Sequence, residues 1–262
     1  AALAWREAFA AGAAAPDYHA EGLLTATLGM DVETPPSAEA ERYRRELAAR
    51  LAGRQAELAS RLEAEPGVAG VAYVSGVAGG SVEFEPRRAG TEDTRHGVRF
   101  LEADPGIFEV FGATLLAGRP FQDADLAGPA GAVVVNASSA EQVPGGGALG
   151  RRFRYLDASD DVRPGGVAEG GWYEVVGVVS DFPVELPYRW QGVPTLYHPV
   201  ARGRLNPATL VVRTRGIAPA GFAARLREIT TTLDPTLRLG EVSSVAYQQG
   251  QEERTRRLLP LG

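Results

Sequence analysis

Five stretches of this 262-residue chain hold residue types that could do chemistry. Gly145-Gly146-Gly147-Ala148-Leu149-Gly150 matches G-x-G-x-x-G. Its chemistry would be pyrophosphate binding, which needs a strand-to-helix turn so that amides converge at a helix N-terminus. Here Pro144 precedes the glycines and an Arg-rich strand pattern follows, so the stretch reads as a plain turn. Asp157-Ala158-Ser159-Asp160-Asp161 has the carboxylates of a calcium loop. Its sixth position is Val162, where the sharp turn needs glycine, and its twelfth is Ala168 instead of a bidentate Glu. It reads as a solvated acidic loop. His19, His96 and His198 stand too far apart for metal-ligand spacing. Ser180-Asp181 ends a strand pattern with no neighbouring histidine to complete a relay. No G-x-S-x-G elbow and no Walker A sequence occur. Arg254, Arg256 and Arg257 form a basic cluster, read as a solvated helix face or a lipid-headgroup contact. The expectation is therefore no catalytic residue, no cofactor-binding residue, no metal ligand and no enzymatic activity.

Composition narrows the classes further. The net charge of −6 and pI near 5.3 supply no basic field, so nucleic acid is not an expected partner. Cysteine is absent, which excludes disulfides, zinc–thiolate sites and cysteine nucleophiles. Every basic residue is arginine, a bias that fits the abundant Ala and Gly and has no functional weight. With 44% hydrophobic residues the chain can bury one large core or two small ones. No apolar run reaches the roughly 18 residues of a membrane span. No signal-peptide pattern is present. The chain reads as soluble by itself, and its abrupt ends suit a loop excised from between two spans.

The elements that would position these residues read as follows. The stretch from Phe100 to Asp125 is the organising one. It opens as a strand, and Asp104-Pro105 then starts a short helix with Ile107, Phe108 and Phe111 on one face. Gly112 ends that helix. Strands are expected at 22–30, 68–74, 81–85, 131–136, 151–156, 172–181, 195–200, 209–214 and 237–242. A weak helix is expected at 138–143, and polar loops at 86–97 and 157–171. The longest helix pattern runs from Ala38 to Glu65. Tyr43, Leu47, Leu51, Leu58 and Leu62 form its stripe, Gly53 and Gln55 interrupt it as a heptad, and Pro66-Gly67 stop it. A second helix from Pro219 to Leu233 presents Phe222, Leu226, Ile229 and Leu233. Trp172 to Asp181 is the strongest strand, with Val175, Val176, Val178 and Val179 leaving almost no polar face. Gly177 in it predicts a close approach by another element.

A resemblance sharpens this. Ile107-Phe108, Phe111-Gly112, Leu115, Gly118-Arg119, Phe121 and Asp125 resemble the "YF…GI…L…GR.F…D" signature of the MacB-like periplasmic core domain, found in ABC-transporter permeases of the MacB/FtsX type. AVVVN, LGRRF, YEVVGVVSDF and TLYHPV follow in the family's order, and EPGVAGVAYVSGV and GLLTATLGM match its earlier segments. The resemblance spans about Gly22 to Arg257.

The family implies an α+β fold: a mixed α/β subdomain built from both chain ends with an inserted strand-rich second subdomain. The expected divisions are a juxtamembrane segment at 1–21, the core subdomain at 22–120 and 195–247, the insert at 121–194, and a membrane-re-entry helix stub at 248–262. The implied role is the extracytoplasmic (periplasmic) domain of an inner-membrane ABC permease, which transmits ATP-driven movement to substrate export or to an envelope partner. The implied partners are a cytoplasmic ATP-binding subunit or domain reached through membrane spans, a second permease copy and an envelope partner. Membrane-proximal roles fall to Trp5, Arg254, Arg256 and Arg257, with the two chain ends side by side at headgroup level. Family members act in macrolide and peptide efflux, lipoprotein handling and regulation of cell-wall hydrolases. The rival readings are a free-standing extracellular peptide- or glycan-binding module and an enzyme whose site is assembled in space.

Overall fold

The computed structural model describes residues 22–32, 39–86, 95–126, 131–156, 171–182 and 192–246. Trp5, Arg254, Arg256 and Arg257, the expected chain-end pairing and the acidic stretch 157–161 lie outside the described residues. The elements of the first half are β1 (Leu23–Met30), α1 (Ala40–Glu63), β2 (Val68–Val74), β3 (Ala78–Phe84), β4 (His96–Ala103), α2 (Ile107–Phe111), β5 (Leu115–Gly118) and α3 (Asp123–Leu126). Then come β6 (Ala132–Asn136), α4 (Ala137–Glu141), β7 (Arg152–Tyr155), β8 (Tyr173–Val179), β9 (Thr195–Pro199), β10 (Ala208–Thr214), α5 (Pro219–Leu233), β11 (Leu237–Leu239) and β12 (Ser243–Ser244). The fold is α+β. No helix among the described residues is long and apolar enough to cross a membrane.

The chain divides into two compact units, with breaks at 75/76 and 200/201. The expected breaks were 120/121 and 194/195. The shift has a physical reason: β4 pairs antiparallel with β3 and parallel with β9, so it belongs with the strand-rich middle.

The unit formed from both ends is an antiparallel sheet in the order β11–β1–β10–β2, with β12 added to the start of β1. Thr25 faces Val211 and Leu210 faces Tyr73 across its ladders. Alternation places Leu24 and Leu28 of β1, Leu210 and Val212 of β10, and Val71 and Tyr73 of β2 in one core cluster. Leu51, Leu58 and Leu62 of α1 and Phe222, Leu226 and Ile229 of α5 complete it. The lower stripe of α1 is thus core, while Tyr43 and Leu47 stay half-buried.

Gln55, which interrupts the α1 stripe, is fully buried. Its Oε1 accepts from Gly203 N at 2.7 Å and its Nε2 donates to Leu205 O at 3.3 Å. The interruption is a polar clasp holding the 203–205 loop against the helix. Gln55→Leu keeps the volume but orphans the Gly203 amide, and is expected to cost about 2 kcal/mol. Urea unfolding of the variant checks this; unchanged stability would show that the clasp is idle.

The other unit closes on itself. Its strands run β4–β3–β7–β8–β6–β9, and β9 returns to pair with β4. Neighbours are antiparallel except β6–β8 and β4–β9, which are parallel. Closure removes the unpaired edges that an open sheet would present. Val82, Phe84, Phe100, Val133, Phe153, Tyr173 and Val175 belong to its core cluster.

In β8, Val175, Val178 and Val179 are buried as expected, but Val176 is only half-buried. Register shifts opposite β8, between Val133 and Val134 and between Leu115 and Ala117, mark irregular pairing beside this residue. Gly177 sits where β5 approaches: a Cβ there would lie 2.2 Å from the carbonyl oxygen of Arg119.

Candidate functional site

Among the described residues, the strand-rich unit holds the candidates Gly145–Gly150, His96, Ser180, Asp181 and His198. Along β9 the side chains alternate, so Leu196 and His198 point one way and Tyr197 the other. His198 is fully buried. Its ring stands 5.0 Å from Tyr173, 5.9 Å from Tyr155 and 6.3 Å from Phe100, centroid to centroid. Nε2 shares a 2.8 Å hydrogen bond with the Tyr155 hydroxyl, and Nδ1 has no partner. Either tautomer therefore leaves one ring nitrogen unsatisfied. Burial pushes the His198 pKa down to about 3, so the ring is neutral at physiological pH. Burial, and then the neighbouring Tyr173, also push the Tyr155 hydroxyl well above the usual phenol range. This centre is a packed aromatic cluster with a neutral imidazole in it.

The opposite side of β9 meets the organising stretch. Tyr197 stacks on Phe182 at 5.1 Å and meets Phe108 edge-on at 5.4 Å. Phe111 stacks on Phe182 at 4.9 Å, and Phe108 touches Phe121 at 5.4 Å. The Tyr197 hydroxyl is buried without a hydrogen-bond partner, and burial together with Asp181 raises its pKa well above the phenol range. α2 is held in place by its ends: Asp104 Oδ1 accepts from Gly106 N at 2.9 Å, and Gly112 turns left-handed at φ 67°.

Arg119 and Asp125, the charged pair of the signature, form a two-pronged bridge. Nη1 donates to Oδ2 at 2.6 Å and Nη2 to Oδ1 at 3.0 Å, while Gln122 N donates to Oδ2 at 2.8 Å. The Arg119 hydrogen bond holds the Asp125 carboxyl below its usual range. The pair staples the turn after β5, a structural task.

Ser180, Asp181 and His198 do not come together as a relay. Ser180 Oγ accepts from Thr114 N at 3.0 Å. Asp181 accepts from Ser138 N at 3.1 Å and from Ser138 Oγ at 2.7 Å. His198 binds Tyr155 instead. The glycines 145–150 form a turn, with positive φ at Gly145, Gly146, Gly147 and Gly150, and lead into β7, not into a helix. Among the described residues no group of three or more His, Asp or Glu side chains could hold a metal ion.

Asn136 is a residue that sequence reasoning passed over, although it closes the AVVVN motif. Its Oδ1 accepts from Ser139 N, capping α4, and from Thr195 N, both at 2.9 Å. Its Nδ2 donates to Val193 O at 2.8 Å. One side chain thus ties β6, α4 and β9 together. Asn136→Ala is expected to lower stability by about 3 kcal/mol, because two buried amides lose their acceptor at once and Val193 O keeps only the Thr195 hydroxyl. Chemical denaturation measures this, and a loss under 1 kcal/mol would reduce the residue to an ordinary cap.

The family description "MacB-like periplasmic core domain" matches residues 13–229, a span that takes in β1 through β10 and ends within α5. The chain belongs to this family. The matched span contains the residues that resemble the family signature: Phe108 and Phe111 in the aromatic cluster, Gly118 and Arg119 beside β8, and Asp125 in the bridge. The fold is similar to the periplasmic region of MacB from Actinobacillus actinomycetemcomitans, at TM-score 0.50 and 14% identity over 93% of this chain and 97% of that one. The extracellular domain of the ABC-type transporter YknZ from Gram-positive bacteria aligns at TM-score 0.45 and 19% identity, covering 83% of this chain and 100% of that one. No curated protein matches the chain in sequence. As a MacB-like member, the chain is an extracytoplasmic domain of the ABC permease family.

Proposed function

We propose that this domain acts mechanically, relaying the ATP-driven movement of a permease to substrate export or to an envelope partner. The single observation that carries the reading is the family match over residues 13–229. In this reading a cytoplasmic ATP-binding subunit or domain drives the cycle through membrane spans, a second permease copy completes the transporter, and the domain hangs on the extracytoplasmic side of the inner membrane. It performs no chemistry of its own. The packing supports that view: the polar residues of the strand-rich unit serve as caps, clasps and staples, and its buried imidazole is bonded to a tyrosine.

The test is made on the intact permease reconstituted with its ATP-binding partner. Hydrogen exchange is compared in the nucleotide-free state and in the state trapped with ATP and vanadate. Exchange of the described strands is expected to change between the two states. Identical protection throughout would overturn the relay. A hydrolase screen on the isolated chain addresses the absence of chemistry, and activity abolished by His198→Ala or Ser180→Ala would refute it.

A further inference from the structure

The unit built from both chain ends holds a cleft of about 480 Å³, within the size range of small-molecule sites. One wall is α1, whose Tyr43, Leu47 and Arg50 stand at i, i+4 and i+7 and so share a face. The other wall is the turn from α5 into β11, with Pro235 and Thr236, and Met30 at the end of β1 adds an apolar surface. This explains why the apolar stripe of α1 extends past the core: Tyr43 and Leu47 line the cleft and stay half-buried.

The cleft is lined by two carboxylates, Asp31 and Glu46, and two guanidiniums, Arg50 and Arg238, but they are not all paired with one another. Asp31 accepts two hydrogen bonds from Arg238, from Nη2 at 2.7 Å and Nε at 3.0 Å. Glu46 is paired outside the cleft with Arg42, at 3.7 Å. Arg50 donates from Nη2 to the Thr236 hydroxyl at 2.7 Å and meets no carboxylate among the described residues. That hydroxyl in turn donates to Asp234 Oδ1 at 2.6 Å, which fixes the arginine's partner in place. The remaining N–H groups of a planar guanidinium form a fork suited to a carboxylate or phosphate.

We infer that this cleft binds a small amphiphilic anion, its carboxylate or phosphate head on Arg50 and its apolar body against Leu47, Met30 and Pro235. The inference stands apart from the proposed relay, since binding is measured on the chain without any transporter.

The experiment titrates the isotope-labelled 262-residue chain with dodecyl phosphate, dodecanoate and dodecyltrimethylammonium, each below its micellar concentration, and follows the amide signals of Leu47, Arg50 and Thr236. Both anions are expected to give saturable shifts, and the cation to bind at least about tenfold more weakly. Tighter binding of dodecyl phosphate assigns a phosphate head, and tighter binding of dodecanoate a carboxylate. Arg50→Ala, an exposed change that the fold tolerates, is expected to weaken anion binding about tenfold, the scale of one charge-assisted hydrogen bond. Arg44→Ala, on the same helix but outside the cleft, leaves affinity unchanged. The absence of saturable shifts with both anions, equal binding of the cation, or an Arg50→Ala variant that binds like the parent would each overturn the assignment.

Discussion

Gly177→Ala is expected to destabilise the strand-rich unit by about 3 kcal/mol or more, the range of severe overpacking. The new Cβ would fall 2.2 Å from the Arg119 carbonyl oxygen and 3.3 Å from Val134 Cγ2. The first of these is backbone, so no rotamer change can relieve it. β5 cannot back away either: Arg119 N donates to Val176 O at 3.0 Å, and Gly118 pairs directly with Gly177. The contact is reciprocal, since a Cβ on Gly118 would lie 2.2 Å from Val176 O, at a φ of +74° that side-chain-bearing residues rarely adopt. Gly79→Ala in β3 is the control, because nothing lies within 4 Å of the added methyl. That variant should change stability by less than about 1 kcal/mol. Thermal and urea unfolding of both variants decides the matter. A Gly177→Ala protein as stable as the parent would show that β5 does not hold its observed position on β8.

The second large effect is a loss of stability in mild acid that depends on His198. The unfolded chain binds a proton on this ring below about pH 6.5, whereas the folded one keeps it neutral down to about pH 3. Between those values the unfolded state holds the extra proton, so stability rises with pH across the window. The contribution is complete above pH 6.5 and is lost progressively as pH falls toward 3. At about 1.4 kcal/mol per pH unit, moving from pH 6.5 to 5 removes about 2 kcal/mol. The depressed carboxyls act in the same direction but lower down: Asp125 and Asp234 lose their stabilisation only as pH drops below their ordinary value of 3.8, and Glu65 below its ordinary value of 4.5. Among the described residues the window from pH 6.5 to 5 therefore belongs to His198. His198→Gln should flatten the stability profile there, whatever it does to stability at pH 7. Urea midpoints at pH 7, 6 and 5 provide the test; a variant that keeps the full slope would mean that another group titrates.

Much of the fold was legible in the residues alone because it follows from local rules. The apolar spacing of Leu51, Leu58 and Leu62 placed α1, and Gly112 marked the left-handed end of α2. The β-branched run in Val175–Val179 marked β8, and Gly177 inside it announced a close neighbour. The signature from Ile107 to Asp125 pointed to the family. Gln55 and Asn136 were not legible as structural clasps, because their partners lie 148 and 59 residues away. Nor was the half-exposure of Val176, which depends on irregular pairing that no single strand announces.

The deepest division concerns closure and burial. Sequence determined most of the strands and helices, since periodicity and turn chemistry act within a few residues, but not the short β5, α3 and β12. Only the tertiary structure decided that β4 pairs with β9 across about a hundred residues, which moved residues 76–120 into the strand-rich unit and shut the ring. That same pairing put His198 inside a dry aromatic cluster and Tyr197 outside it. A histidine in a TLYHPV strand has no preferred side until the register across the ring is set. A shift of one residue would exchange the two faces, and with them the aromatic cluster that surrounds the ring.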